Sequence, residues 1–299
     1  MPFDPQLLSA LSGLHFKARY IMEGFLTGYH DSPFHGFSVE FSEYRAYQPG
    51  DELKHVDWRL FARTDRLCIK RFEQETNARF YIVVDSSGSM AYRGDRAWAS
   101  KLECAQTIAT ALTGLMLKQN DAVGLLALEH GRDALLKPAY IAPSQKPSQF
   151  GTILRHLQRL EPSGGERLAE LLQRATQLFH RRSVVLLFSD LLESGEAVGT
   201  LFKQLRFLGH EVLIFQILDR DEIEFPFTRA QVFRDLETGA RRHVQPELIR
   251  KLYLERFGRF MEKHRELFQS LEMEHCLIRT DENPAHALRQ FFSKRKKLQ

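Results

Sequence analysis

Three oxygen-bearing side chains follow a short apolar run in the first third of the chain. Asp85, Ser87 and Ser89 alternate with other residues directly after the run Phe80–Val84. A spacing of two places the three side chains on one side of the emerging loop. Hard divalent cations, Mg²⁺ above all, prefer ligands that are all oxygen. These residues therefore predict a site for Mg²⁺ or Mn²⁺ at the end of a buried strand.

Two other interpretations of these residues stay open. Ser and Asp are preferred helix N-caps, but one cap explains neither the second hydroxyl nor Asp190, an acid that ends another apolar run, Ser183–Phe188. The other interpretation is a Mg-dependent phosphoryl-transfer enzyme with Asp85 as nucleophile.

The enzyme alternative lacks several expected partners. Dehalogenase-type enzymes need a second acid two residues after the nucleophile, and Ser87 stands there. We identify no lysine placed for such chemistry, and the sequence contains no G-x-x-x-x-G-K-[ST], H-E-x-x-H or G-x-S-x-G motif. We therefore expect a binding module with no catalytic residues, in which the open coordination position of the cation accepts a carboxylate from a partner protein.

The elements that position these residues alternate between strand and helix from Phe80 onward. This alternation predicts an α/β fold with a Rossmann-like, doubly wound, mostly parallel sheet. Short apolar runs bounded by turn residues predict strands at Phe80–Val84, Ala122–Leu128, Ala134–Ile141, Ser183–Phe188, Glu211–Leu218 and Glu274–Ile278. The strand from Ala134 follows its predecessor so closely that it must pair antiparallel to it.

Other segments do not suit the central sheet. Helical spacing predicts a structural N-terminal helix over residues 5–28. The charged strands Phe37–Phe41 and Leu67–Phe72 and a polar hairpin at Gln231–Val244 predict a small accessory β-structure in which residues 37–75 and 230–245 touch. We place a first region at 1–79 and the main domain at 80–299, with the accessory hairpin at 230–245.

A long helix is predicted after Pro246, extending to about Leu271. We expect its apolar side chains to face inward. They are Leu248, Ile249, Leu252, Phe260, Leu267 and Phe268.

The segment from residue 37 to residue 75 is dense in paired charges. Its ionic residues form either an ion-pair network that holds an irregular segment or a recognition surface, and both interpretations stay open. The candidate partner-binding residues are Arg45, Asp51, Asp57, Trp58, Arg59 and Arg63.

Composition restricts the partners and the compartment. The chain has 299 residues and a net charge of +4, with scattered basic residues, and a basic tail at Lys294–Lys297 that we interpret as a solvated helix end. We therefore expect no nucleic-acid partner. The three cysteines are far apart and form no disulfide pattern, which favours a reducing compartment. No apolar run approaches the about 18 residues of a membrane span, and we predict a cytoplasmic protein.

Two motifs together resemble a known family. Asp85–Met90 is similar to the metal-ion-dependent adhesion site of von Willebrand factor type A domains. The charged segment, with Glu40-Phe41, Pro49-Gly50-Asp51 and Val56-Asp57-Trp58-Arg59, resembles the signature of the domain-of-unknown-function 58 family. The resemblance implies a von Willebrand-like fold and a gene neighbour that encodes a MoxR-type AAA+ ATPase.

The same resemblance extends the candidate metal site. It places Asp190 at the position of a further metal-site Asp, and Glu166 where the family pattern has a Thr, so Glu166 is a further candidate ligand. Many relatives carry transmembrane helices before the signature, and we expect none here. The function that the resemblance implies is that of a non-enzymatic adaptor. It binds the ATPase or its client protein in assembly or maturation.

Overall fold

The architecture was analysed in a computed structural model. It describes residues 12–26, 40–47, 56, 58–64, 66–73, 78–130, 136–163, 168–193 and 195–298.

Helices and strands alternate along most of the described chain. The helices are α1 (Leu14–Leu26), α2 (Trp58–Thr64), α3 (Lys101–Lys118), α4 (Ser148–Arg159), α5 (Leu168–Leu178), α6 (Glu196–Phe207), α7 (Arg220–Glu224), α8 (Pro246–Ser270) and α9 (Pro284–Leu298). The strands are β1 (Glu40–Ala46), β2 (Cys68–Glu73), β3 (Arg79–Val84), β4 (Ala122–His130), β5 (Leu136–Ser144), β6 (Val184–Ser189), β7 (Glu211–Leu218), β8 (Gln231–Arg234), β9 (Arg241–Val244) and β10 (Glu274–Arg279). None of these described helices has both the length and the apolar character needed to cross a bilayer.

Six strands form the central sheet in the order β10-β7-β6-β3-β4-β5. The pairs are parallel except that β5 runs antiparallel to β4. The predicted doubly wound, mostly parallel sheet is therefore confirmed, including its one antiparallel strand. The strand order reverses between β3 and β6, and ligands bind at such a switch point in open α/β sheets.

The central strands β3 and β6 are buried on both faces because they carry apolar residues at nearly every position. Ile82 and Val84 of β3 face one apolar cluster, which also contains residues of α1, α3 and α9. Tyr81 and Val83, on the opposite face of the same strand, join a second cluster with residues of α5, α6 and α8. Helix α1 is part of the first cluster, through the buried Ala18 and Ile21. The helix predicted at the N-terminus therefore packs against α3 and α9, the helices that cover this face of the sheet.

The accessory β-structure consists of two separate two-stranded sheets. One pairs β1 with β2 and the other pairs β8 with β9, both antiparallel. The two segments that we expected to build one structure thus have no common sheet. Contact between residues 37–75 and 230–245 stays a prediction. The strand predicted at Phe37–Phe41 spans Glu40–Ala46 among the described residues, because its pairing with β2 continues to Ala46, opposite Cys68.

Helix α8 corrects one part of the sequence analysis. Phe268 is buried as predicted, but Leu248, Ile249 and Leu252 are 77%, 38% and 49% exposed. A helix of 25 residues is about 37 Å long, whereas a six-residue strand spans about 20 Å. The first turns of α8 therefore extend past the sheet that its last turns cover.

The first prediction concerns Gly124 in β4. A Cβ added there would lie 2.5 Å from the carbonyl oxygen of Ile141 on β5, at the irregularity in their pairing. Gly124→Ala should lower the free energy of unfolding by about 1–3 kcal/mol, because the backbone must shift to admit the methyl group. Urea denaturation measures this difference.

The matched control is Gly258→Ala in α8. A Cβ at Gly258 meets open space, and alanine should raise stability by about 0.5–1 kcal/mol because it costs less backbone entropy in a helix. An unchanged or increased stability of Gly124→Ala would contradict the described β4–β5 packing.

Candidate functional site

The two acids predicted for the site lie at the switch point of the sheet. Asp85 follows β3 and Asp190 follows β6, and these strands are parallel neighbours with Val84 opposite Phe188. The backbone N–H of Asp85 donates to the carbonyl oxygen of Phe188 at 2.9 Å. Both acids therefore lie at the carboxyl edge of the sheet, where sequence reasoning placed them.

Asp85 is a buried carboxylate that accepts hydrogen bonds from neutral groups. Its Oδ1 accepts from the N–H of Ser87 at 2.9 Å and its Oδ2 from the hydroxyl of Ser189 at 2.6 Å. Burial and then the charge of Asp190 raise the pKa of Asp85 to about 6, against the hydrogen bonds from Ser189 and Ser87. Among the described residues no Lys, Arg or His forms a salt bridge with it. A cation beside this carboxylate would offset the cost of burying its charge.

Ser87 and Ser89 present their hydroxyls to each other at 3.2 Å. Ser87 precedes the short 3₁₀ turn Gly88–Ala91, yet its side chain forms no capping hydrogen bond there. The N-cap interpretation therefore does not explain this hydroxyl. The two serines and Asp85 form a set of hard oxygen donors on one loop.

Lys101 is the residue at this edge that sequence reasoning missed. Its ammonium lies 2.7 Å from Oδ2 of Asp190 and 2.5 Å from Oε1 of Glu222, and the side chain is fully buried. Burial alone lowers the pKa of a lysine, but here the two carboxylates outweigh it and hold the pKa of Lys101 above its usual value. No sequence motif indicates that Lys101 is buried. Lysine is almost never fully buried unless it is paired, so a lysine in a sequence ordinarily predicts an exposed side chain.

Asp190 is held from several directions. Its Oδ1 accepts from the N–H of Leu192 at 3.0 Å, and its Oδ2 is occupied by Lys101. Its backbone carbonyl accepts from Nε2 of Gln216 at 3.1 Å, and Oε1 of Gln216 lies 2.9 Å from Nε2 of His275. Asp190 thus anchors the loop after β6. A role as metal ligand through water stays a prediction.

A further acid, Glu237, reaches the site from the accessory hairpin. Oε2 of Glu237 accepts from the N–H of Gly88 at 3.0 Å and Oε1 accepts from the N–H of Ser89 at 2.7 Å. The hairpin turn packs so closely that a Cβ on Gly88 would lie 2.3 Å from the carbonyl oxygen of Leu236. The sequence indicated a polar hairpin outside the sheet. It gave no signal for this docking, which joins residues 148 positions apart.

One cleft of about 280 Å³ opens beside the two serines and Glu237, and Asp85, Asp190 and Lys101 lie behind it and do not line it. Its lining residues are Ser87, Ser89, Tyr92, Leu192, Glu193, Glu222, Asp235, Leu236 and Glu237. Within the described ranges, no cluster of three or more His, Cys, Asp or Glu side chains has a metal-binding arrangement. The donor set is therefore one carboxylate and two hydroxyls, which fits Mg²⁺ because this ion keeps several waters and takes few protein ligands.

The other predicted site residues are further along the chain. Glu166, Asp51 and Asp57 lie outside the described residues, while Arg45 lies in β1 and Arg59 in α2. Trp58 is 56% exposed and contacts Phe61 edge-on, and Arg63 is exposed. The recognition-surface and ion-pair interpretations of this segment both stay open.

A comparison with protein families decides the relationship that the motifs indicated. The family described as "Protein of unknown function DUF58" matches residues 43–266. The chain belongs to the DUF58 family. The match includes the charged segment from Glu43, all elements from β3 to β9 and most of α8, so the site described above lies inside the family region.

Curated relatives resemble this DUF58 chain over differing shares of its length. Uncharacterized protein Mb1516 of Mycobacterium bovis and Uncharacterized protein Rv1480 of Mycobacterium tuberculosis are each 28% identical over 249 residues, or 82% of this chain and 76% of theirs. Uncharacterized protein YeaD of Bacillus subtilis is 28% identical over 114 residues, or 38% of this chain and 24% of its own.

Solved structures were compared as well. The conserved hypothetical protein BatB from Bacteroides thetaiotaomicron is 16% identical, with a TM-score of 0.47, over 74% of this DUF58 chain and 99% of its own. The SpRpn10 VWA domain is 15% identical, with a TM-score of 0.32, over 47% of this chain and 75% of its own.

A second prediction concerns the buried cation. Lys101→Met fills a similar volume but leaves Asp190 and Glu222 without their counter-ion. The free energy of unfolding should fall by about 3–5 kcal/mol, the usual cost of removing one partner from a buried ion pair. The control is Lys118→Met at the other, exposed end of α3, which should change stability by less than about 1 kcal/mol. Equal losses in urea denaturation would refute the buried ion pair.

A third prediction concerns pH. Burial, and then the charge of His264, lower the pKa of His275 to about 4, whereas the unfolded value is about 6.5. Between these values the unfolded chain binds more protons than the folded chain, so stability should fall as the pH falls from 6.5 to 4. The loss should approach about 2–3 kcal/mol.

The pH prediction is checked by the melting temperature across this range. His275→Gln should flatten the profile, whereas His286→Gln, at an exposed position of α9, should leave it unchanged. A profile that His275→Gln does not alter would assign the acid sensitivity to another group.

Proposed function

We propose that this protein is a non-enzymatic adaptor that binds an acidic side chain of a partner through the cleft at the switch point. The partner is a MoxR-type AAA+ ATPase or a client of that ATPase, in assembly or maturation, and the complex forms in the cytoplasm. Asp85, Ser87 and Ser89 would hold Mg²⁺ or Mn²⁺, with Asp190 behind them and Glu166 as a further candidate ligand.

One observation carries the proposal. The hydroxyls of Ser87 and Ser89 and the carboxylate of Asp85 lie together at the end of β3. Asp85 is buried with its two oxygens bonded to neutral donors. A cation there would compensate its charge and offer an open position to an incoming carboxylate.

The neighbouring groups support an acidic partner. The N–H groups of Gly88 and Ser89 already hold the carboxylate of Glu237, so this loop accepts an acidic side chain. Lys101 offsets one of the two negative charges of Asp190 and Glu222, which reduces the repulsion that an incoming carboxylate would meet. The exposed Leu192 and Leu236 at the cleft add apolar contact area.

The cation is tested by calorimetric titration with Mg²⁺. We expect the wild type to bind and Asp85→Asn to bind at least about tenfold more weakly, because the hard cation loses its one anionic ligand among the three. Equal binding by both proteins would exclude Asp85 as a ligand. The same two proteins, mixed with a generic phosphatase substrate and Mg²⁺, test the enzyme alternative. Turnover that Asp85→Asn abolishes would overturn the adaptor proposal.

The partner is tested by capture of a purified MoxR-type AAA+ ATPase. The wild type should retain it in Mg²⁺ and release it in EDTA, and the double variant Ser87→Ala/Ser89→Ala should retain little. Ser270→Ala, at an exposed hydroxyl near the opposite edge of the sheet, is the control. Melting temperatures must be unchanged. Equal capture by wild type and double variant would refute the cation-bridged contact.

A further inference from the structure

An apolar groove follows one side of α8 and opens beside the candidate site. Its first part, about 550 Å³, is lined by Leu192, Ile249, Leu252, Tyr253, Phe257 and Phe260. Its second part, about 570 Å³, continues along the helix past Val198 to Leu267. The two parts share Arg256 and Phe260, so we treat them as one surface, the α8 groove.

Three apolar side chains that line the α8 groove are partly exposed to solvent. Ile249 is 38% exposed, Leu252 is 49% exposed and Leu192 is 37% exposed. These side chains are contiguous along the same lining. Contiguous exposed apolar surface with a polar rim marks protein interaction sites.

The rim of the groove is basic. Arg256, Arg259 and Lys263 line its second part, together with the acid Glu196. Arg259 is paired with Glu255 of the same helix. In the part of the chain that the structure describes, Arg256 and Lys263 form no salt bridge. The acid that lines the first part, Glu222, shares the ammonium of Lys101 with Asp190. Glu196 also forms no salt bridge in the described part of the chain, so the unpaired rim charges are Arg256 and Lys263 against Glu196, a positive excess of one.

From these observations we infer that the α8 groove binds an acidic amphipathic helix of the partner protein. The helix places its apolar face on Ile249, Leu252 and Phe260 and its carboxylates beside Arg256 and Lys263. The inference rests on the proposed function, because the groove and the cleft share Leu192 and Glu222. One partner segment can therefore continue from the groove into the site.

The dimensions of the groove suit a helix of this kind. From Ile249 to Leu267 the helix axis rises about 27 Å, which matches about 18 residues of a second helix laid alongside. Helix-in-groove recognition uses anchors at positions i, i+3, i+4 and i+7. A second copy of this chain fits less well, because a two-fold contact would bring the cations of one groove toward those of the other.

The test uses an 18-residue fluorescent peptide with leucine at i, i+3, i+4 and i+7 and glutamate on both flanks of that stripe. Two matched peptides serve as probes of specificity: one has lysine in place of glutamate, and one has the same composition with the leucines dispersed. Binding to the full chain is measured by anisotropy in EDTA. We expect the acidic amphipathic peptide to bind at least about tenfold more tightly than either control peptide.

Variants of α8 locate the contact. Leu252→Asp and Arg256→Glu should each weaken peptide binding about tenfold or more. Leu248→Asp and Lys251→Glu are the matched controls, since these exposed residues of α8 do not line the groove, and they should bind as the wild type does. Arg256→Glu remains informative if Leu252→Asp melts at a lower temperature.

The outcomes separate this inference from the adaptor proposal. Ser87→Ala/Ser89→Ala should retain the peptide, because the groove does not need the cation. Suppose that the serine variant loses ATPase capture while the wild type binds no peptide up to 1 mM, which corresponds to a binding free energy of about 4 kcal/mol. This result would refute the groove inference and leave the adaptor proposal standing. Equal binding of the lysine peptide, or insensitivity to Arg256→Glu, would also overturn the groove inference. Self-association that Leu252→Asp abolishes would assign the groove to a second copy.

Discussion

The buried ion pair of Lys101 with Asp190 and Glu222 is the interaction on which the rest of the site depends. One ammonium joins the first residue of α3, the loop after β6 and the short helix α7. A positive charge at a helix N-terminus opposes the helix dipole, and burial adds a desolvation cost. Both costs are offset only while the two carboxylates remain in place. The ion pair therefore couples three segments of the carboxyl edge.

The position of this lysine also divides the acids of the site into two groups. Asp190 and Glu222 have their counter-ion within the fold, whereas Asp85 accepts only neutral hydrogen bonds among the described residues. Asp190 thus has a cationic partner inside the fold, which Asp85 lacks among the described residues. Asp190 anchors the loop after β6 through its bonds to Leu192 and Lys101.

The accessory hairpin closes one side of this edge, and α8 closes the other. Glu237 bonds to the turn after β3, and the turn accepts the hairpin closely only because residue 88 is glycine. Helix α8 extends beyond the sheet and carries exposed leucine and isoleucine toward the same cleft. Polar and apolar surfaces thus meet at the switch point.

Local sequence signals determined the central sheet of this protein and the positions of two acids at its edge. Apolar runs predicted all six strands of the central sheet, the antiparallel direction of β5, and the acids at the ends of β3 and β6, because strand burial and short connections are properties of neighbouring residues. Only tertiary structure decided which charges meet. Lys101 bonds to Asp190, 89 positions further along the chain, and Glu237 bonds to Gly88, 149 positions before it. Such pairings depend on the three-dimensional fold and leave no periodic signal in the sequence. The exposure of Leu252 was likewise decided by where the sheet ends, since a helix pattern shows an apolar face but not its neighbour.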